Sequence, residues 1–459
     1  MSKIEEIINT EIKLHQQFKN VNVIGFDMDM AIVRYNNNET ATLIYECVLE
    51  HLVTVFPFLK ESKLDFSFSK RGLVIDLELG LILKLDNKKR VIKAFRGKSI
   101  VSKEEIDSIY HDEKVIGSES PLKDYDGSNS ARFFTMISFF ETPITSVIRD
   151  FMEYQNSESI RLGKPIDYST FKQLAKEISI SFAKHFNDFT TGHYYTSFKK
   201  DPSKYIYKVS NRLKNWLMEI RSKNNTKVIL ITNSKSEYCH SVMEYSFGEN
   251  FRDYFDCIIV DAKKPEFFKS DINSKPFTKL MTFYPKEKSD YIECSNIELG
   301  VSHDTIFKGG NIHLVLNKLK DHFKKDQISF CYVGDNLIGD VVAPKQVKLM
   351  TVAIIEEIQD PDEIIILKRE KNTKSQEVQV NSEGLVERST GKTNYVWGSF
   401  FHIHDDHENL SIDTFWSSIL RDNADIVVYG VDTLVEYYYQ DKFDNKDTLS
   451  PCAVVYGGY

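Results

Sequence analysis

The chain has 459 residues and a formal net charge of −8, with 59 Lys and Arg against 67 Asp and Glu. It is too long for one compact core, and it lacks the basic excess that a nucleic-acid-binding domain wants. A composition 41% hydrophobic and 27% charged, with 31 Phe, 23 Tyr and 3 Trp, excludes a disordered chain. No apolar run approaches the roughly 20 residues that span a bilayer. Six cysteines (Cys47, Cys239, Cys257, Cys294, Cys331, Cys452) form no Cys-x-x-Cys pair, which favours reduced thiols over a zinc site or a disulfide framework. Glu5 and Glu6 stand where a targeting peptide avoids acids, and Tyr456-Gly457-Gly458-Tyr459 is no lipidation signal. The expectation is a soluble protein of the cytoplasm.

In chain order, the first strong element is Val23-Ile24-Gly25-Phe26, an apolar run that reads as a strand buried on both faces. It ends in Asp27-Met28-Asp29. Two carboxylates there are costly unless a cation or substrate offsets them, and ligands of open α/β sheets sit beyond the carboxyl ends of strands. Thr40 to Phe56 places Leu43, Ile44, Cys47, Val48, Leu52 and Phe56 at helical spacing. Gly72 to Glu78, Leu81 to Leu85 and Val91 to Phe95 read as a meander, with a turn at Asp86-Asn87-Lys88-Lys89. From Phe133 to about Tyr207 the pattern is mostly helical, with the polar stretch Asn156 to Lys164 expected as a loop. No second aspartate-bearing buried strand is expected between about 60 and 205. That region reads as an insertion able to cover the Asp pair.

Alternation of helix and strand then resumes. Leu213 to Ile220 is helical, and Lys227 to Ile231 is a buried strand ending in Thr232-Asn233-Ser234. A helix over Glu237 to Tyr245 follows, with Asn233 or Ser234 as its cap. Phe255 to Val260 is a third strand, followed by Asp261-Ala262-Lys263-Lys264-Pro265, and Phe267 to Ser302 reads as irregular. Asn311 to Phe323 is helical. Ile328 to Val333 is a fourth strand, running into Gly334-Asp335-Asn336-Leu337-Ile338-Gly339-Asp340, and Leu349 to Ile355 a fifth. This spacing predicts an α/β fold with a doubly wound parallel sheet. The predicted organisation is core over 1–60, an inserted hairpin and helical cap over 61–205, and core again over 206–362. A polar linker over 363–395 and a packed C-terminal segment over 396–459 complete it.

The groups at the ends of these strands suit phosphoryl transfer. Asp-x-Asp after an apolar strand, Thr232 after the second, Lys264 after the third, and Asp335 with Asp340 after the fourth resemble, in that order, the haloacid dehalogenase phosphohydrolase superfamily. Gly25 to Asp29, Ile231 to Ser234, Tyr254-Phe255-Asp256, Asp261 to Phe268, Gly334-Asp335 and Gly339-Asp340 narrow the resemblance to the cytosolic purine 5′-nucleotidase family. So do Phe133 to Pro143, Gly309-Gly310-Asn311 and Trp397 to Phe401. The resemblance implies a Rossmann-like core with a cap, Mg2+ as cofactor, and a small phosphorylated substrate, nominally a nucleotide, as partner. Neither nucleic acid nor a membrane is expected; self-association is left open.

A carboxylate attacks a phosphoryl group when the charge on its oxygens is neutralised. Asp27 would be the nucleophile and Asp29 the acid and base, with its proton retained beside a second carboxylate. Asp27, Asp335 and the backbone carbonyl of Asp29 would hold magnesium, with Asp340 orienting from behind. Thr232 and Asn233 would face the phosphate at a helix start, and Lys264 would balance charge. Phe140 is the candidate platform for a base. Arg34 reads as a surface residue, and His402, His404, Asp405, Asp406 and His407 as an exposed loop before a metal site.

The chain departs from the family pattern at Ala31, and at Ala175, Ser179, Phe182 and Ala183, where the family reads its nucleotide with polar side chains. Three alternatives therefore stay open: an inactive interaction module, a phosphatase for a non-nucleotide ester, and, more remotely, a receiver-type phosphoacceptor domain.

Overall fold

The computed structural model of the chain describes residues 3–110, 121–187, 189–274, 276–294, 296–300, 306–357, 396–405, 410–440 and 454–455. The expected polar linker at 363–395 lies outside them, as do Asp406 and His407. The chain forms two compact units. The first takes Met1–Asn36, Ser197–Lys368 and Ile419–Tyr459, and the second Asn37–Thr196 and Arg369–Ser418.

The strands, in chain order, are β1 (Val23–Phe26), β2 (Val74–Asp76), β3 (Leu81–Leu85), β4 (Val91–Arg96), β5 (Ser99–Ile100) and β6 (Phe133–Thr135). They continue with β7 (Lys227–Ile231), β8 (Cys257–Val260), β9 (Phe277–Leu280), β10 (Tyr291–Cys294), β11 (Ile306–Gly309) and β12 (Phe330–Gly334). The last are β13 (Met350–Ile354), β14 (His402–Asp405), β15 (Leu410–Asp413), β16 (Ile426–Val428) and β17 (Val454–Val455).

In the first unit a ten-stranded sheet runs β10-β9-β11-β8-β7-β1-β12-β13-β16-β17. Every pairing from β11 through β16 is parallel, and β9, β10 and β17 add antiparallel edges. Parallel strands need crossover helices on the faces, so the central ones are apolar throughout. All four residues of β1 are buried, as are all five of β12. Val23, Ile229, Ile231, Ile259, Phe267, Phe307 and Tyr332 share one core. At about 1.5–3 kcal/mol for each fully buried large apolar side chain, this layer fixes the register of the strands that carry the site. The helix Lys3–Lys19 lays Phe18 against Trp216, Tyr437 and Tyr438.

The second unit holds an antiparallel sheet ordered β5-β4-β3-β2-β6 and the helices Asn37–Val55, Ile144–Leu162 and Ser169–Asn187. Its hairpin takes a buried lysine, Lys84, whose ammonium donates to the carbonyls of Trp397 and Ser399. The Trp397 indole donates to Phe68 O (2.9 Å) and the Trp416 indole to Gly72 O (2.7 Å).

The structure differs from expectation at six places. The helix Asn37–Val55, expected in the core, clusters with the second unit, and the C-terminal segment is divided at 418/419. Asn156 to Leu162 is helix rather than loop: Glu158 pairs with Arg161 one turn on, and Gly163 takes the left-handed cap (φ 61°). A second aspartate does end a buried strand, Asp76 of β2, but Arg132 (2.8 Å) and the Tyr110 hydroxyl (2.8 Å) satisfy it inside its own unit. Phe267 to Ser302 contains the antiparallel pair β9 and β10. Finally, the helix Ser236–Phe247 starts after Lys235 with no side-chain cap, because Asn233 and Ser234 bond elsewhere.

Candidate active site

Strands β8, β7, β1 and β12 are neighbours, so their carboxyl ends bring Lys264, Thr232, Asp27 and Asp335 to one edge of the first unit. Asp27 is held one residue past β1 by its N–H, which donates to Val333 O (2.8 Å). Ile32 N–H and Val33 N–H then donate to Asp27 O (3.3 Å) and Met28 O (3.0 Å), closing a tight turn with Met30 at φ 58°. A non-glycine residue there costs about 1–2 kcal/mol, and the turn it permits folds Asp29 back beside Asp27.

Lys264, and not its exposed neighbour Lys263, points into the site. Its ammonium lies 2.8 Å from Asp27 Oδ1, 2.7 Å from Asp340 Oδ1 and 3.0 Å from the Tyr332 hydroxyl. The contacts to Asp340 and Tyr332 are hydrogen bonds, and the one to Asp27 is an ion pair. Tyr332 in turn donates to Ile231 O (2.9 Å), which ties its ring to β7. Asn233, expected on the substrate, grips the Lys264 backbone: its amide donates to Lys264 O (3.0 Å) and its carbonyl accepts from Lys264 N (2.6 Å).

The loop after β12 is shaped by Asn336, whose Oδ1 accepts from Ile338 N (3.2 Å) and Gly339 N (2.8 Å). It closes on Asp340, whose Oδ2 accepts from Asn336 N (3.1 Å). A Cβ at Gly334 would lie 2.5 Å from Asp340 Cβ and Cγ, so glycine alone lets the two aspartates of this loop close up. Asp27, Asp335 and Asp340 are all buried and offer carboxylate oxygens within 4.8 Å of one another.

Charge is out of balance here: three carboxylates face one ammonium. Burial pushes the Asp27 carboxyl up, Lys264 pulls it down, and Asp340, Asp335 and Asp29 push it up again, leaving it well above the usual range. Burial pulls the Lys264 ammonium down, but Asp27 and Asp340 outweigh it and hold it firmly charged. Asp27 Oδ1, though in charge contact with Lys264, makes no hydrogen bond. An all-oxygen cluster with surplus negative charge fits a hard divalent cation such as magnesium.

Asp29 sits beside this cluster with both oxygens engaged. Ser234 Oγ donates to Oδ2 (2.6 Å) and the Tyr35 hydroxyl to Oδ1. Burial raises its carboxyl, and these two bonds, Lys264 and Thr232 pull part of the way back. Thr232 is fully buried, and its Oγ1 accepts from Ser234 N (3.1 Å). Tyr35, Tyr332 and Ser234 were not among the expected site residues. Tyr35 and Tyr332 carried no motif signal, whereas Ser234 stood inside a recognised motif as a helix cap.

Phe140 lies in the second unit, its ring edge-on to Phe139. Arg34 pairs with Glu356 (3.2 Å) and lies over Tyr207 and Tyr429, as a surface residue would. His402, His404 and Asp405 fall in β14, which pairs with β15.

A model of the 5' nucleotidase family matches residues 8–395. The chain belongs to the 5' nucleotidase family. It is 27% identical over 390 residues to 5'-nucleotidase domain-containing protein 1 of Homo sapiens, covering 83% of this chain and 81% of that protein. The Bos taurus protein of the same name is 26% identical over 397 residues, with the same shares. A 5'-nucleotidase domain-containing protein of Dictyostelium discoideum is 25% identical over 370 residues, covering 77% of this chain and 55% of that protein. The sheet and the order of its motif-bearing strands agree with a haloacid dehalogenase-type core. Among the described residues, no helix is long and apolar enough to cross a membrane.

Proposed function

We propose that this chain is a magnesium-dependent phosphomonoester hydrolase, nominally a 5′-nucleotidase, working through an aspartyl-phosphate. The observation that carries the reading is the buried Asp27 carboxylate, 2.8 Å from Lys264 and clustered with Asp335 and Asp340 where adjacent strands end. Asp27 and Asp335, with the backbone carbonyl of Asp29, would hold the ion, which would supply charge neutralisation at the phosphoryl oxygens. Asp340 has one oxygen on Lys264 and the other on Asn336 N, so it acts from behind by holding the lysine.

In the first step an Asp27 oxygen forms a bond to phosphorus as the bond to the ester oxygen breaks. Asp29, its carboxyl raised by burial, gives the departing oxygen its proton. In the second step water attacks the aspartyl-phosphate, Asp29 takes the proton back, and inorganic phosphate leaves. Lys264 offsets charge throughout, and Thr232 lines the same edge. The free thiols of Cys47, Cys239, Cys257, Cys294 and Cys331 fit a reducing compartment, the cytoplasm.

One observation favours a second substrate class within the same chemistry, a non-nucleotide phosphomonoester. On the helix Ser169–Asn187, Ser179 turns its hydroxyl back onto Ala175 O (3.0 Å) and Phe182 stacks on Phe186. The positions where the family's polar nucleotide readers would stand thus carry no charged side chain, and their one hydroxyl has its proton engaged on the backbone. Phosphate release from a panel of nucleoside monophosphates and sugar phosphates, with magnesium, tests both. Release abolished by Asp27→Asn is expected; no release from any ester, with magnesium bound, overturns the enzyme reading in favour of an interaction module.

A further inference from the structure

We infer that Tyr35, with Ser234, is a positioning residue for Asp29, fixing the carboxyl that serves the leaving group. The inference rests on the hydrolase reading above and deepens it. Asp29 projects from a turn, and a carboxyl held at one oxygen can still rotate about its Cβ–Cγ bond. Here both oxygens are taken by donors from different elements. Tyr35 donates to Oδ1 and Ser234 Oγ to Oδ2 at 2.6 Å, so rotation would break one bond or the other. A carboxyl has about four lone-pair sites in all, so these donors leave room for the reacting centre.

The donors are themselves fixed. The Tyr35 hydroxyl has one proton, given to Asp29, so the contact with the Tyr238 hydroxyl (3.0 Å) is one in which Tyr238 donates. Both phenols are buried, at 2% and 5% exposure. The Tyr35 backbone forms an antiparallel bridge with Ile206, flanked by Asn36 N to Tyr205 O (2.8 Å) and Tyr207 N to Arg34 O (3.0 Å). That two-stranded tie lies where the chain leaves the first unit after Asn36 and re-enters at Ser197. Ser234 is held by Asp261 N–H on its carbonyl (2.9 Å) and by its own N–H on Thr232. Asp29 is therefore clamped between the crossover segment and the loop after β7.

A group that places a proton donor matters in proportion to how much the leaving oxygen needs the proton. Alcohol release in a single turnover isolates the first step, from an alkyl ester (a nucleoside or sugar monophosphate) and from 4-nitrophenyl phosphate. Tyr35→Phe and, independently, Ser234→Ala are expected to slow release from the alkyl ester about tenfold or more at saturation. The half-saturating concentration should stay within about twofold, and release of nitrophenol, which leaves without a proton, should fall less than about threefold. Asp29→Asn sets the full scale of the selective loss. Equal losses on both esters, or none, overturn the positioning role while leaving the hydrolase standing. No release from any ester by the natural chain overturns both.

Discussion

Three carboxylates against one ammonium set the behaviour of the site before any ligand arrives. Asp27 and Asp29 hold their protons more tightly in the folded chain than in the unfolded one, burial being the first cause for each. A folded state that binds more protons loses stability as pH rises, here from about pH 4 upward through the raised carboxyl range. Metal-free protein should therefore show a melting temperature that falls with pH across that window. Magnesium should reduce the slope and release protons on binding, read by calorimetry in two buffers of different ionisation heat; a metal-independent slope would contradict it. Lys264 is held charged by these carboxylates. Its side chain is 3% exposed, and Lys264→Met strips Asp27 and Asp340 of their counter-charge. Denaturant unfolding should show a loss of about 3–5 kcal/mol, as for other buried pairs deprived of one partner.

At the scale of elements, the loop after β12 depends on a residue with no side chain. Gly334→Ala drives a methyl into Asp340 at 2.5 Å, against a side chain fixed at both oxygens. A destabilisation of about 1–3 kcal/mol is expected from overpacking, with loss of phosphate release beyond that, because Asp340 holds Lys264. Denaturant midpoint and activity measured on one preparation check this. The strands that carry the motifs were legible because parallel strands buried on both faces must be unbroken apolar runs, as Val228 to Ile231 and Phe330 to Gly334 are. The edge pair β9 and β10 was not, because Phe-Thr-Lys-Leu and Tyr-Ile-Glu-Cys are short, the first interrupted by a polar pair and the second largely exposed. Asp27, Thr232, Lys264 and Asp335 stood out by place, each just beyond a readable strand. Tyr35 did not, since its bond to Asp29 crosses a six-residue loop with no periodicity. The grip of Asn233 on Lys264 was not legible, because it spans 31 residues of sequence and exists only once β7 and β8 are paired.

For the molecule as a whole, the second unit is assembled from two separate pieces of chain, Asn37–Thr196 and Arg369–Ser418. Trp397 packs on Phe68 and Phe95, and Lys84 is bound by carbonyls of the later piece. Removing residues 37–196 alone strands Trp397 and Trp416, both nearly fully buried, without their partners. That truncation should aggregate, whereas excising 37–196 and 369–418 together, with short linkers, should leave a soluble first unit. Size-exclusion chromatography of the two forms distinguishes them; a soluble, monodisperse single deletion would contradict this division of the chain.

The central claim is that Asp27 becomes phosphorylated. Rapid acid quench during turnover with magnesium, followed by peptide mass spectrometry, tests it most directly. A hydroxylamine-labile phosphate on the peptide carrying Asp27, absent in Asp27→Asn, is the expected result. Phosphate on another residue, or release of phosphate that continues in Asp27→Asn, would contradict it.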